Sequence, residues 1–213
     1  MASSSFGVPM PDRRSRRRQD TIEEALHHGV QVITEQGVGA LTISEVARRL
    51  GMRAPSLYKY FPSGLHALYD ALFARGMEEA KAATERAVAG LAPGAARLRA
   101  AGRGYVRWAV ENPGLAQLLH WRAVPGFEPS PGVMALSHAG QQLLADELQA
   151  AVDAGELRAE ANDEEAIDTW TVLLSGLMTQ QMANEPGAPF DEGRFTRLTD
   201  PVLDLWFERY GTH

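Results

Sequence analysis

With 213 residues and 45% apolar side chains, the chain can bury a core as one large or two small domains, which excludes a wholly disordered polymer. It contains no run of about 18 apolar residues, no apolar signal segment in its first twenty residues and no cysteine, so the cytoplasm is the expected compartment and disulfides, thiolate metal sites and a cysteine nucleophile are excluded. The net charge of -6 is uneven: residues 1–65 carry nine Lys and Arg against six Asp and Glu, a balance of +3, while twelve against twenty-one follow, a balance of -9. A small basic module on an acidic body points to a polyanion met by the module alone, with chance clustering as the alternative.

Residues 1–12 are small, polar and proline-punctuated, and with the basic run behind them they read as a disordered arm over residues 1–19. Asp20 stands where an N-cap would, and Ile22, Leu26, Gly29 and Ile33 then recur at helical spacing up to Gly37. Thr42 to Glu45 has the form of a capping box, with Thr42 as N-cap and Glu45 reaching back. Ile43, Val46 and Leu50 form the buried stripe of this second helix, and Gly51 closes it where a positive φ costs little. After a three-residue connection, Pro55 fits only the first turn of a third helix of seven or eight residues starting near Ala54. Leu57 and Phe61 face inward, which leaves Ser56, Tyr58, Lys59 and Tyr60 on the flanks and outer surface.

Two short helices joined by a glycine-containing turn make a helix-turn-helix. If the third helix lies in a major groove, Tyr58, Lys59 and Tyr60 become phosphate clamps; alternatively both tyrosines are half-buried packing residues. The residues Leu41-Thr42-Ile43, Glu45-Val46-Ala47, Leu50-Gly51, Leu57 to Phe61 and Pro62-Ser63 together resemble the DNA-binding signature of the tetracycline-repressor (TetR) family. That resemblance covers residues 20–75 closely. It implies an all-α homodimer with a three-helix DNA-binding domain, here 20–65, and a larger helical domain, here 66–213, that dimerises and holds a small-molecule effector. It also implies that Ser44, Ala54, Pro55 and Ser56 approach bases of a palindromic operator and that Arg53, Tyr58, Lys59 and Tyr60 lie near phosphates. The chain departs from the family pattern at Gly64, where a lysine is frequent. The basic run ahead of the first helix, Arg16, Arg17 and Arg18 in particular, reads as a flexible arm able to follow the backbone or enter a minor groove.

Breakers divide the second domain into helices over about 63–89, 95–111, 115–122, 133–154, 163–184 and 192–210. The penultimate helix is apolar well round its circumference, so it is buried on more than one side. Val172, Ser175 and Gly176 on it, with Val202, Leu205, Trp206 and Arg209 on the last helix, are candidates for a four-helix dimer interface, an intrachain core being the alternative. Tyr105, Trp108, Trp121, Phe127, Met134, Trp170, Leu174 and Met178, with His120 and Gln181 as polar points, are candidates to line an effector cavity, although core packing explains most aromatic residues of helical domains.

No enzyme is expected. The histidines lack the i, i+4 pair with a nearby carboxylate that a helical metal site requires, and there is no phosphate loop or nucleophile elbow. Neither a cofactor, a metal nor a membrane is expected. The chain reads as a transcriptional regulator, a homodimeric repressor released from double-stranded operator DNA by a small apolar or aromatic molecule. The alternatives are a constitutive architectural DNA-binding protein and a protein-interaction module with a structural helix-turn-helix.

Overall fold

A computed structural model of the chain describes residues 13–121 and 123–212, which divide into two compact units between Leu68 and Tyr69. The proline-punctuated segment 1–12 lies outside the described residues.

The first unit holds α1 (Arg13–Gln36), α2 (Ile43–Arg49), α3 (Ala54–Leu57) and the first turn of α4 (Leu65–Ala87). Its core holds Ala25, Leu26, Val32 and Ile33 from α1, Ile43, Val46 and Ala47 from α2, then Leu57 and Phe61, while Ile22 and Leu50 of the expected stripes are only half-buried. Thr42 caps α2, its hydroxyl accepting from the Glu45 amide at 3.1 Å. The Glu45 side chain does not complete the expected box. It accepts instead from Arg48 at 2.8 Å and Arg49 at 2.9 Å, and Arg49 in turn donates to Glu35 at 2.7 Å, so the charges that flank α2 tie it to the end of α1. These guanidinium bonds hold the Glu45 carboxyl well below its usual range, at about 2.

Two further expectations are corrected in this unit. The chain is helical from Arg13, so residues 13–19 are not a disordered arm and Asp20 is not an N-cap but lies inside α1. Arginine and glutamine are good helix formers; the Thr21 hydroxyl donates to the Arg17 carbonyl and Gln19 to Glu23, and Arg18 is anchored to a carbonyl outside the helix, which sustains the added turns. The third helix is also shorter than read. Regular helix ends at Leu57, and Lys59 and Tyr60 donate to the carbonyls of Ser56 and Leu57, tightening residues 58–60 into a turn.

The second unit continues α4 and adds α5 (Ala95–Glu111), α6 (Pro113–His120), α7 (Pro131–Asp153), α8 (Glu164–Asn184) and α9 (Thr199–Tyr210). Pro113 is the first residue of α6 rather than a spacer before it, since the missing N–H is one that a first turn leaves unpaired anyway. The core between α5, α8 and α9 is aromatic: Trp170, Trp206, Phe207 and Tyr210 meet edge-on or tilted with centroids 4.8 to 6.2 Å apart. Glu156 accepts from the Ala95 amide at 2.8 Å, placing a carboxylate at the N-terminus of α5 where the helix dipole favours it. An isolated antiparallel bridge, Leu157 to Gly211, ties the end of the chain to the segment after α7.

The last helix starts seven residues later than read. The amides of Phe195 and Thr196, which a helix from Glu192 would engage in its own ladder, donate to the Gln181 side-chain oxygen at 2.9 and 3.3 Å instead. Among the described residues no helix is long and apolar enough to cross a membrane.

Candidate functional site

The helix-turn-helix is assembled by its buried side. Leu57 is fully buried and Phe61 nearly so, and the turn after α2 passes through Gly51 at φ +66. With those positions anchored, Ser44, Arg53, Pro55, Tyr58 and Lys59 are exposed and Ala54, Ser56 and Tyr60 are half-buried. The row therefore offers a hydroxyl from Ser56, an ammonium from Lys59 and a phenol from Tyr58, whose side chain is 50% exposed. Gly64 adopts φ +59, and a Cβ there would lie 3.0 Å from Cε1 of Tyr58, so the glycine that departs from the family pattern leaves room for the Tyr58 ring. Arg18 is placed differently from the expectation of a free arm: its Nη1 donates to the Lys59 carbonyl at 2.9 Å and its guanidinium carbon lies 5.4 Å from the centre of the Tyr60 ring.

In the second unit the ten candidates for an effector site separate into three groups. Tyr105, Trp108, His120 and Trp121 form a chain of ring contacts with centroids 5.7 to 6.0 Å apart, and the Tyr105 hydroxyl is 3.1 Å from Nε2 of His120. Burial pushes the Tyr105 phenol up to about 12 and moves the His120 imidazole below its ordinary 6.5. The Trp108 indole nitrogen is buried with no hydrogen-bond partner among the described residues.

Phe127 and Met134 line a separate cavity of about 210 Å³, walled also by Phe73, Leu118, Leu119 and Val124 with Glu128 at its edge. The loop over this cavity is held to α4 by Asp70, whose carboxylate accepts from the amide and the hydroxyl of Ser130, each at 2.7 Å. Phe73, Leu118 and Leu119 escaped the sequence reading because an apolar residue on an amphipathic helix looks the same whether it faces a cavity or a packed core.

Trp170, Leu174, Met178 and Gln181 form the third group, and the expectation that they line a cavity is corrected. They are buried on the face of α8 turned to the core. Trp170 meets Trp206 edge-on, and the Gln181 amide is engaged on both atoms, donating to the Glu185 carbonyl at 2.9 Å and accepting from Phe195 and Thr196.

The dimer candidates also separate. Val172 is 69% and Leu205 59% exposed, Gly176 and Arg209 are exposed, and Ser175 and Val202 are half-buried. Trp206 is corrected to the intrachain core: it is 1% exposed and its indole nitrogen donates to the Ala166 carbonyl at 2.9 Å. Among the described residues no three His, Asp or Glu side chains gather in a way that could hold a metal ion.

Two family models match the chain: bacterial regulatory proteins of the tetR family over residues 25–63, and the tetracyclin repressor-like C-terminal domain over residues 98–200. Among solved structures, a protein of unknown function from Rhodococcus sp. RHA1 is 24% identical with a TM-score of 0.74, covering 90% of this chain and 96% of its own. The TetR family transcriptional regulator PfmR from Thermus thermophilus is 20% identical with a TM-score of 0.64, covering 86% and 97%. A complex of SmeT with triclosan is 20% identical with a TM-score of 0.65, covering 91% and 93%. No curated protein matches.

Proposed function

The chain belongs to the TetR family of DNA-binding transcriptional regulators, and on that premise we propose that it is a homodimeric repressor released from a palindromic operator by a small, largely apolar molecule. The observation that carries the reading is the outward row of the helix-turn-helix, where a buried Leu57 and Phe61 leave Tyr58 and Lys59 in solvent and Ser56 half-buried beside them. Ser44, Ala54, Pro55 and Ser56 meet base edges, with the two apolar residues suited to thymine methyl groups. Arg53, Tyr58, Lys59 and Tyr60 hold the flanking phosphates.

Val172 and Leu205, large apolar side chains left in solvent on α8 and α9, supply the self-association surface, and a two-fold axis through it pairs two recognition segments with two half-sites. The effector binds in the second unit. Its apolar body suits the cavity of Phe73, Leu118, Leu119, Phe127 and Met134. SmeT, which shares this fold, takes triclosan, an example of such a ligand class in a neighbour.

Release is a population shift: the effector favours a dimer whose half-site spacing no longer fits, with the unbroken helix α4 linking the two units along the chain. A coupling of about 1 to 3 kcal/mol changes operator affinity by roughly 5- to 150-fold. Footprinting on the promoter regions bound by the protein, with and without fractionated cell metabolites, tests this. The reading expects a protected inverted repeat that one apolar fraction clears; protection that no fraction alters would instead mark a constitutive DNA-binding protein.

A further inference from the structure

Five of the six residues from Arg13 to Arg18 are arginines, all exposed, on the opening turns of α1, and the first turn carries no acidic residue. This is an unfavourable place for cations. The helix dipole is positive at this end, and arginines three and four residues apart, such as Arg14 with Arg17 and Arg18, repel across the helix surface. Arg13, Arg14 and Arg17 have no ion pair among the described residues that would relieve them.

The segment is held by Arg18. Its guanidinium donates to the Lys59 carbonyl at 2.9 Å and lies over the Tyr60 ring at 5.4 Å, so it joins the start of α1 to the end of the recognition segment. Arg14 precedes Arg18 by four residues and therefore shares its face, about 6 Å farther along the helix axis. Arg17 is its immediate neighbour.

We infer that Arg18 is a positioning residue rather than a phosphate ligand: it clips the arginine-rich turns of α1 against Lys59 and Tyr60, so that Arg14, Arg17 and Lys59 form one continuous strip for a DNA backbone. The like-charge repulsion stored in the free protein is relieved when phosphates occupy the strip. The inference rests on the helix-turn-helix being the DNA-binding element.

Counterion release separates the two roles. Each lost phosphate contact lowers the magnitude of the slope of log K against log salt by about 0.9. Affinity for one fixed duplex, longer than the binding site and of arbitrary sequence, is measured against salt for the wild type, Arg18→Ala, Arg18→Lys, Tyr60→Leu and the double variant Arg14→Ala/Arg17→Ala. As a positioning residue, Arg18 takes its neighbours with it, so Arg18→Ala lowers the slope by roughly two units. Adding Arg14→Ala/Arg17→Ala to it lowers the slope no further. Arg18→Lys keeps the charge but loses the planar fork, and Tyr60→Leu removes no charge at all, yet both lower the slope.

A loss of about 0.9 for Arg18→Ala that adds fully to the loss from Arg14→Ala/Arg17→Ala would overturn the inference and make Arg18 an ordinary phosphate contact. So would unchanged slopes in both Arg18→Lys and Tyr60→Leu. Thermal unfolding identifies any variant that fails to fold, and Arg18→Lys, the mildest change, then decides alone. If the wild type shows no salt-dependent affinity for the duplex, the failure lies with the DNA-binding assignment itself.

Discussion

Leu205→Asp separates the surface of α9 from its core. Leu205 is 59% exposed and Val172 on α8 is 69% exposed, so a single chain leaves most of both side chains in water. Complete burial of such a side chain is worth about 1.5 to 3 kcal/mol, so the exposed fraction retains roughly 1 to 2 kcal/mol for each. In a two-fold interface each residue occurs twice, and the four side chains together contribute on the order of 4 to 8 kcal/mol. Leu205→Asp removes two of the four and forces two carboxylates to lose water, so the dimer dissociation constant should rise at least about 100-fold. The folded protomer should hardly notice, because a substitution at an exposed position changes stability by about 0.5 kcal/mol or less. Sedimentation over a range of concentrations reads the first quantity and thermal unfolding the second. An unchanged dimer constant would remove Leu205 from the interface, and a collapse of the melting temperature would place its side chain in the protomer core.

Trp206→Ala should do the reverse, costing about 3 to 5 kcal/mol of protomer stability through the cavity left among Trp170, Phe207 and Tyr210, as measured by denaturant unfolding. Gly64→Ala should destabilise the first unit by about 1 to 2 kcal/mol and lower DNA affinity, because φ is +59 and the new Cβ meets the Tyr58 ring; Gly64→Asn, whose side chain tolerates this region, should cost less. Because burial lowers the His120 pKa, the unfolded chain takes up a proton at higher pH than the folded one. The stability from its neutral form is then fully present above 6.5 and lost as pH falls through the lowered value, so His120→Gln should flatten that slope in urea titrations between about pH 7 and pH 5. Lys59→Ala should weaken all duplexes about equally, whereas Ser56→Ala should relax preference at one or two positions in a binding-site selection.

Where a local rule and the tertiary fold agree, the sequence was legible. Thr42 caps α2, and α5 runs from Ala95 to Glu111 between a glycine and an asparagine-proline pair. By contrast α8, read as buried on more than one side, buries one face and leaves Val172 exposed. Several of the misread positions turn on a contact with a distant residue. Apolar residues at 202, 203, 205, 206 and 207 allow two stripes on α9, and only packing against α5 and α8 selects Thr199, Leu203, Trp206 and Tyr210 as the buried one. Gln181 looked like a polar point in an apolar wall because nothing local reveals that amides fourteen and fifteen residues onward require its oxygen. The helical start of α1 depends on Arg18 reaching a carbonyl forty-one residues away, and composition alone described that run as an arm.

Selecting bound sequences from random duplex DNA with the full chain, and reading their symmetry, tests the central claim most directly. A homodimeric helix-turn-helix regulator enriches an inverted repeat whose half-sites are separated by a fixed spacing, and Leu205→Asp loses affinity for the full repeat while its residual binding no longer depends on that spacing. Enrichment of a single asymmetric half-site, or of no sequence above the starting pool, would contradict the account.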